Sequence, residues 1–144
     1  MFSKACEYGI KATIYITEQS LSQNKVSLKD VAKAIESPEA FTSKILQLLV
    51  RNNIINSEKG PTGGFSIDQQ KIEKTKLSNI VPVIDGDSVF NSCGLGLKKC
   101  NENKPCPIHH QYKSICKNIR HMLEKTSLKS LALKLEDGLI FLKN

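Results

Sequence analysis

The 144-residue sequence predicts a mainly α-helical fold carrying one small β-hairpin. Three observations lead there. Apolar residues recur at helical spacing in several segments, two strand-like runs flank a glycine- and proline-rich turn, and the last third holds an apolar seam with alternating intervals of 4 and 3.

Taken in order, Ser3 to about Ser20 places Ala5, Tyr8, Ala12 and Tyr15 at helical spacing with Ile16 beside them, which marks an amphipathic helix against a core. A polar break at Ser22 to Lys25 comes next. Ser27 then stands three residues before Asp30, a hydroxyl and a carboxylate that accept hydrogen bonds from the free amides of a helix start, so a short helix over Leu28 to Glu36 is expected. Ser37-Pro38-Glu39 supplies a cap, a residue preset for the first helical position and an acid suited to the positive end of the dipole. In this next helix Phe41, Ile45, Leu48 and Leu49 form an inward stripe, leaving Glu39, Ala40, Ser43 and Gln47 on the other side.

Two short helices joined by a tight turn make a helix-turn-helix candidate, though an ordinary helical hairpin reads the same way. The segment after the second helix decides between them. Ile54 to Ser57 and Phe65 to Ile67 are strand-like runs around Glu58-Lys59-Gly60-Pro61-Thr62-Gly63-Gly64, and a hairpin directly after the second helix is the wing of a winged helix-turn-helix. Glycines let the wing backbone approach a phosphate, and Lys59 supplies a charge suited to the minor groove. The expected contacts to double-stranded DNA are therefore Pro38, Glu39, Ser43 and Gln47 from the second helix, and Lys59, Gly60, Thr62, Gly63 and Gly64 from the wing.

After a helix near Leu77 to Ile84, the stretch Asp85 to Pro105 shows no clear periodicity, and a loop of that length in a small domain is usually functional or disordered. It holds Cys93 and Cys100, and Cys106 stands directly after it, with six and five residues between successive cysteines. Three thiolates on a flexible loop can converge on a soft metal or an iron-sulfur cluster, and cysteines set among Lys, Asn, Gly and Pro are poor candidates for core thiols. His109 lies three residues past Cys106, on the same helical face, and is the first choice for a fourth ligand. Zinc, or direct oxidation of the thiols, is the alternative chemistry. Cys6 and Cys116 fall on helical segments, where structural roles are expected.

From Ile108 onward, Ile108, Tyr112, Ile115, Ile119 and Met122 form a heptad-like seam with Lys113, Lys117 and Arg120 off it. A reader with one winged module needs a twin to reach a second half-site, so a homodimer on a partly palindromic operator is expected, held by this long dimerisation helix. Thr126 and Ser127 cap a last helix over Leu128 to Asp137, Gly138 ends it, and the apolar tail Leu139 to Leu142 is expected to pack on the dimer. The division is a winged helix-turn-helix over 1–84, a cysteine-rich sensor loop over 85–106, and the dimerisation helix with C-terminal helix and tail over 107–144.

Bulk properties agree but decide less. The formal charge of +7 sits mainly in the C-terminal half: residues 1–66 carry a net +2 and residues 97–134 a net +7. A basic helical face is more often merely solvated, so charge alone supports polyanion binding weakly. No apolar run approaches a membrane span and no signal peptide opens the chain, so a cytoplasmic protein without membrane partners is expected. Five cysteines, three of them near one loop, fit metal or redox chemistry better than a disulfide scaffold. Walker A, G-x-S-x-G and Rossmann signatures are absent, and no His-x-Glu pair stands upstream of Cys106-Pro107, so no enzyme is expected.

The segment Pro38 to Ile67, PEAFTSKILQLLVRNNIINSEKGPTGGFSI, together with the opening FSKACEYGIKA and the cysteine loop, resembles the bacterial winged helix-turn-helix regulators often called the Rrf family, which includes IscR, NsrR and CymR. The likeness covers nearly the whole chain and weakens after about Leu128. It implies a transcriptional regulator whose operator affinity is controlled, in some members, by a 2Fe-2S or 4Fe-4S cluster that senses redox state or nitric oxide. By position, Cys93, Cys100 and Cys106 match the thiolate ligands, with the first interval one residue longer than in the best-known cluster-binding members. Some members take a carboxylate from the partner's first helix as fourth ligand, and Glu7 matches that position. A rival of another class, a metal or cluster carrier with a merely structural helix-turn-helix, would have no reason to select a DNA sequence.

Overall fold

A computed structural model describes all residues, 1–144. The elements are α1 (Lys4–Leu21), α2 (Leu28–Ile35), α3 (Glu39–Arg51), β1 (Asn56–Glu58), β2 (Gly64–Ser66), α4 (Gln69–Lys74), α5 (Leu77–Asp85), α6 (Ser88–Asn91), α7 (His109–Lys125) and α8 (Leu128–Glu136). The architecture is the mainly helical one expected, with a single two-stranded antiparallel sheet.

Helix α1 is the axis of the core rather than a one-sided amphipathic helix, because α2, α3, α5 and α8 all pack on it. Cys6, Ala12, Thr13, Ile16 and Thr17 are completely buried, while Tyr8 and Tyr15 of the expected stripe are only half-buried. Two threonines reach the interior at little cost, since Thr13 and Thr17 each donate a 2.7 Å hydrogen bond to the carbonyl four residues back.

At the start of α2 both halves of the capping box form, Ser27 Oγ accepting from the Asp30 amide at 3.1 Å and Asp30 Oδ2 accepting from the Ser27 amide at 3.0 Å. Glu36 ends this helix in the left-handed region, φ 51°, which turns the chain into α3 within two residues. Here the structure corrects the expected cap. Pro38, not Ser37, is the N-cap, and no side chain caps α3; the Ser37 hydroxyl instead pairs with Thr42, whose own hydroxyl donates to the Pro38 carbonyl. The turn between the two helices is thus fastened by hydroxyls facing inward.

The strands begin and end differently from the expected runs. The Ile54 amide is spent on the Leu49 carbonyl at 2.9 Å, with Asn53 at φ 59° closing α3, and Ile55 drops into the core, so pairing starts at Asn56. The register is Asn56 opposite Ser66, Ser57 opposite Phe65 and Glu58 opposite Gly64. Val26 and Phe65 exchange both backbone hydrogen bonds, 3.1 and 2.7 Å, which fixes the wing to the segment ahead of α2.

Two short helices were not legible in the sequence: α4, anchored by the fully buried Ile72, and the single turn α6 inside the stretch read as loop. Helix α8 folds into the N-terminal core, with Leu128 and Ala132 fully buried and Ser127 bridged to Lys76 by the Leu77 amide on Thr126 and the Leu128 amide on Thr75. Helix α7 joins that core only near its C-terminal end, through the fully buried Leu123 and the neighbouring Ile119. In the tail, Leu142 packs back on this chain's own core, while Leu139 and Phe141 remain exposed. No helix is long and apolar enough to cross a membrane.

Candidate nucleic-acid interface and cysteine loop

Helix α3 presents its expected outer face. Pro38, Glu39, Ala40 and Gln47 are exposed and Ser43 is half-buried, because Thr42, Ile45, Leu46 and Leu49 turn into the core and hold the helix by its opposite side. Gln47 Nε2 lies 3.5 Å from Ser43 Oγ, so the two polar groups share one patch. On the wing, Lys59, Gly60 and Thr62 are exposed at the tip. Lys59 takes part in no ion pair, whereas the neighbouring Glu58 is paired to Lys25. Gly64 is required by the hairpin itself: its φ is 140°, and a Cβ there would stand 2.8 Å from the Val26 carbonyl oxygen.

The cysteine loop runs from α6 to the start of α7 and gathers its donors at that end of the helix. Cys93 is buried, and the Leu95 amide donates to its Sγ at 3.4 Å, while the Gly96 amide is spent on the Cys93 carbonyl at 3.0 Å. The nearby backbone N–H groups, that of Leu95 foremost, hold the Cys93 thiol below its ordinary range, against the effect of burial. Cys106, half-buried, moves the other way, raised by burial and by the nearby Cys93 and Cys100 thiols despite the Ile108 amide. Cys100 is exposed, with Sγ 3.3 Å from His109 Nδ1. The His109 ring is buried, and its Nε2 finds no hydrogen-bond partner.

No three His, Cys, Asp or Glu side chains stand at the spacing that would hold a single metal ion. The donor set nevertheless suits a thiolate-ligated centre: three sulfurs and one imidazole, a buried ring nitrogen with nothing to bind, and a backbone amide donating to a sulfur, the arrangement by which proteins support and tune such ligands. Glu7 is elsewhere, an exposed carboxylate 2.8 Å from Lys4, which keeps it below the usual carboxylate range. Cys6 is sealed in the core, its thiol pushed up to about 12 by burial and by Asp85, and Cys116 is buried on the inner face of α7. Neither is part of the loop cluster.

Helix α7 divides the five seam residues. Ile108, Ile115 and Met122, seven apart, are 38%, 50% and 49% exposed, an apolar row that this chain only partly covers. Tyr112 and Ile119 turn toward their own chain beside the buried His109, Cys116 and Leu123. The row borders a cleft of about 690 Å³ between the N-terminus, α6 and α7, to which Met1, Phe2, Val89, Ile115 and Ile119 contribute. What sequence reasoning missed is the Leu95 amide on Cys93; its signal was Gly94-Leu95-Gly96, a segment too short for a phosphate loop but suited to turning an amide onto a sulfur.

The profile of the Rrf2 family, described as iron-dependent transcriptional regulators, matches residues 2–134. The chain belongs to the Rrf2 family. An HTH-type transcriptional regulator of Aquifex aeolicus is 27% identical over 134 residues, 91% of this chain and 90% of its own length. Among solved structures, CymR of B. subtilis, described as that organism's global cysteine regulator, superposes with a TM-score of 0.73 at 18% identity, covering 92% of this chain and 96% of its own. IscR of T. potens gives 0.72 at 18% identity over 97% and 91%, and CymR of Staphylococcus aureus 0.71 at 21% over 90% and 96%. These likenesses establish a shared fold, the winged helix of Rrf2 regulators. As an Rrf2 member the chain is a DNA-binding transcriptional regulator and not an enzyme.

Proposed function

We propose that this Rrf2 regulator acts as a homodimer on a partly palindromic operator, and that an iron-sulfur centre held by Cys93, Cys100, Cys106 and His109 sets its affinity. The observation that carries the reading is a buried imidazole with an unpartnered Nε2 whose Nδ1 lies 3.3 Å from Cys100 Sγ, at the N-terminal end of α7, on the loop that also carries Cys93 and Cys106; the same helix bears the exposed Ile108, Ile115 and Met122 row. In this reading residues 1–84 are the reading head, 85–106 the sensor loop, and 107–144 carry the dimer helix and the return of α8 to the core.

Bound there, a 2Fe-2S or 4Fe-4S cluster supplies a metal–thiolate bond set sensitive to redox state or nitric oxide. This chain's residues do the rest. The Leu95 amide on Cys93 Sγ favours the ionised thiol, and burial fixes the His109 ring against Cys100. His109 is preferred over Glu7 of a partner chain, since His109 already stands against the Cys100 sulfur while Glu7 is paired with Lys4. On the DNA side, Ser43 and Gln47 face base edges, Pro38 and Glu39 lie at the helix entry, and Lys59 with Gly60, Thr62, Gly63 and Gly64 brings the wing to the backbone or minor groove. A coupling of about 1–3 kcal/mol between loop and reading head is enough to change operator occupancy severalfold.

Direct thiol oxidation is the second reading, favoured by the free and exposed Cys100 thiol on the loop that carries the free Cys93 and Cys106; zinc on the same donors is a variant of it. Purification under anaerobic conditions, with a visible spectrum and iron and sulfide assays, separates them. The proposal expects a coloured protein that bleaches when Cys93, Cys100 or Cys106 is changed to Ala and keeps its colour in the Cys6→Ala, Cys116→Ala double variant. A colourless protein without iron or sulfide contradicts the cluster.

A further inference from the structure

The sensor loop has little packing of its own: from residue 91 to residue 105 every residue except Cys93 is exposed. Something must therefore hold Cys93 in place. The backbone on its C-terminal side lies directly on the ring of Tyr112 in α7, so closely that a Cβ built on Gly94 would come within 2.8 Å of Tyr112 Cγ, 2.9 Å of Cδ2 and 3.1 Å of Ile108 Cδ1. Real side-chain carbons essentially never come as close as the two ring distances, and the ring atoms Cγ and Cδ2, unlike the Ile108 tip, cannot simply swing aside. On the N-terminal side of Cys93, Ser92 lines the same cleft as Tyr112 and Cys116. One aromatic side chain thus lies under the backbone that follows Cys93 and beside the cleft that Ser92 lines.

We propose that Tyr112 is the seat that fixes Cys93 on α7, and that Gly94 accepts no side chain because the backbone itself must lie on the ring. Tyr112 belongs to the seam expected to meet a partner chain, yet its ring is used inside its own subunit. Its neighbours Ile108 and Ile115, three or four residues away, border the exposed row, so the seat joins the sensor loop to the helix face left open for a partner. Tyr112 is a positioning residue: it holds the backbone that carries the sulfur and the Leu95 amide that donates to it. The seat depends on the loop being a metal-thiolate site only in its consequence for metal affinity, and not in its structural content.

Two readouts on the full-length protein keep these apart. Hydrogen exchange of the reduced, metal-free protein should be at least tenfold faster over residues 92–98 in Gly94→Ala and in Tyr112→Ala than in the unaltered chain, with exchange in α3 unchanged. Tyr112→Phe keeps the ring under Gly94 and should stay within about threefold of the unaltered protein, a rescue that a general loss of packing would not give. Titration with cobalt(II), read by its thiolate charge-transfer absorbance, should show at least tenfold weaker binding in the same two variants and near-normal binding in Tyr112→Phe. Unchanged loop exchange in Gly94→Ala and Tyr112→Ala overturns the seat. A chain that binds no cobalt, but whose loop exchange responds as expected, refutes the metal reading and leaves the seat standing.

Discussion

The reading head and the sensor region are built by opposite economies. In the head, α1 is enclosed by α2, α3, α5 and α8, every strand and turn is tied by backbone hydrogen bonds, and the large apolar side chains Ile16, Ile35, Leu46, Leu49 and Ile55 are fully buried. In the sensor region, the loop exposes nearly everything but Cys93, and α7 offers Ile108, Ile115 and Met122 to solvent. The first region satisfies itself. The second is incomplete within one chain, both in its apolar row and in the unpartnered His109 nitrogen, and incompleteness of this kind is what a region that responds to partners and ligands requires.

The comparison breaks first under core truncation. Leu46→Ala removes a fully buried side chain from the inner face of α3 and should cost about 2–5 kcal/mol of stability, read by thermal or denaturant unfolding. A loss under about 1 kcal/mol would mean that the head is looser than its packing indicates. Ile115→Asp should do the reverse, leaving the fold intact while putting a charge into the apolar row and yielding monomers in sedimentation, with little operator affinity. A monomeric unaltered protein at micromolar concentration would show that the row serves something other than a second copy. The smallest effects belong to the DNA face. Lys59→Ala should weaken binding to all sequences and lower the salt slope by about one, whereas Gln47→Ala should change which sequences bind by roughly 1–3 kcal/mol at the affected base. Equal loss across all sequences for both would remove the distinction between wing and reading helix.

How much the sequence disclosed obeys the same division. The head was legible because its signals are local: Ser27 and Asp30 form the capping box they suggest, the outward positions of α3 are those left by its apolar stripe, and the glycine-rich turn makes the hairpin. Its errors were also local, as with Ser37, whose hydroxyl is drawn inward by Thr42 instead of capping α3. Long-range placement was harder to read. Nothing in the period of α1 announces that four helices surround it, and nothing in Leu128 to Glu136 says that this helix returns to the first domain instead of staying beside α7. In the site, the cysteines and His109 were visible by type and spacing; the amides around Cys93 and the Tyr112 ring beneath Gly94 were not, because backbone orientation and tertiary contact leave no mark in residue type.

The central claim is that the state of the cysteine loop sets DNA affinity, and one comparison tests it most directly. A binding site is first selected from random DNA with the pure protein, and its affinity is then measured at fixed salt for the cluster-loaded and cluster-free forms. The triple variant Cys93→Ala, Cys100→Ala, Cys106→Ala is carried through the same loading and stripping treatments and measured after each. The account predicts a difference of roughly 5- to 150-fold between the two forms of the unaltered protein and none for the variant. Equal affinity in both forms of the unaltered protein, or an equal shift in the variant, would contradict it.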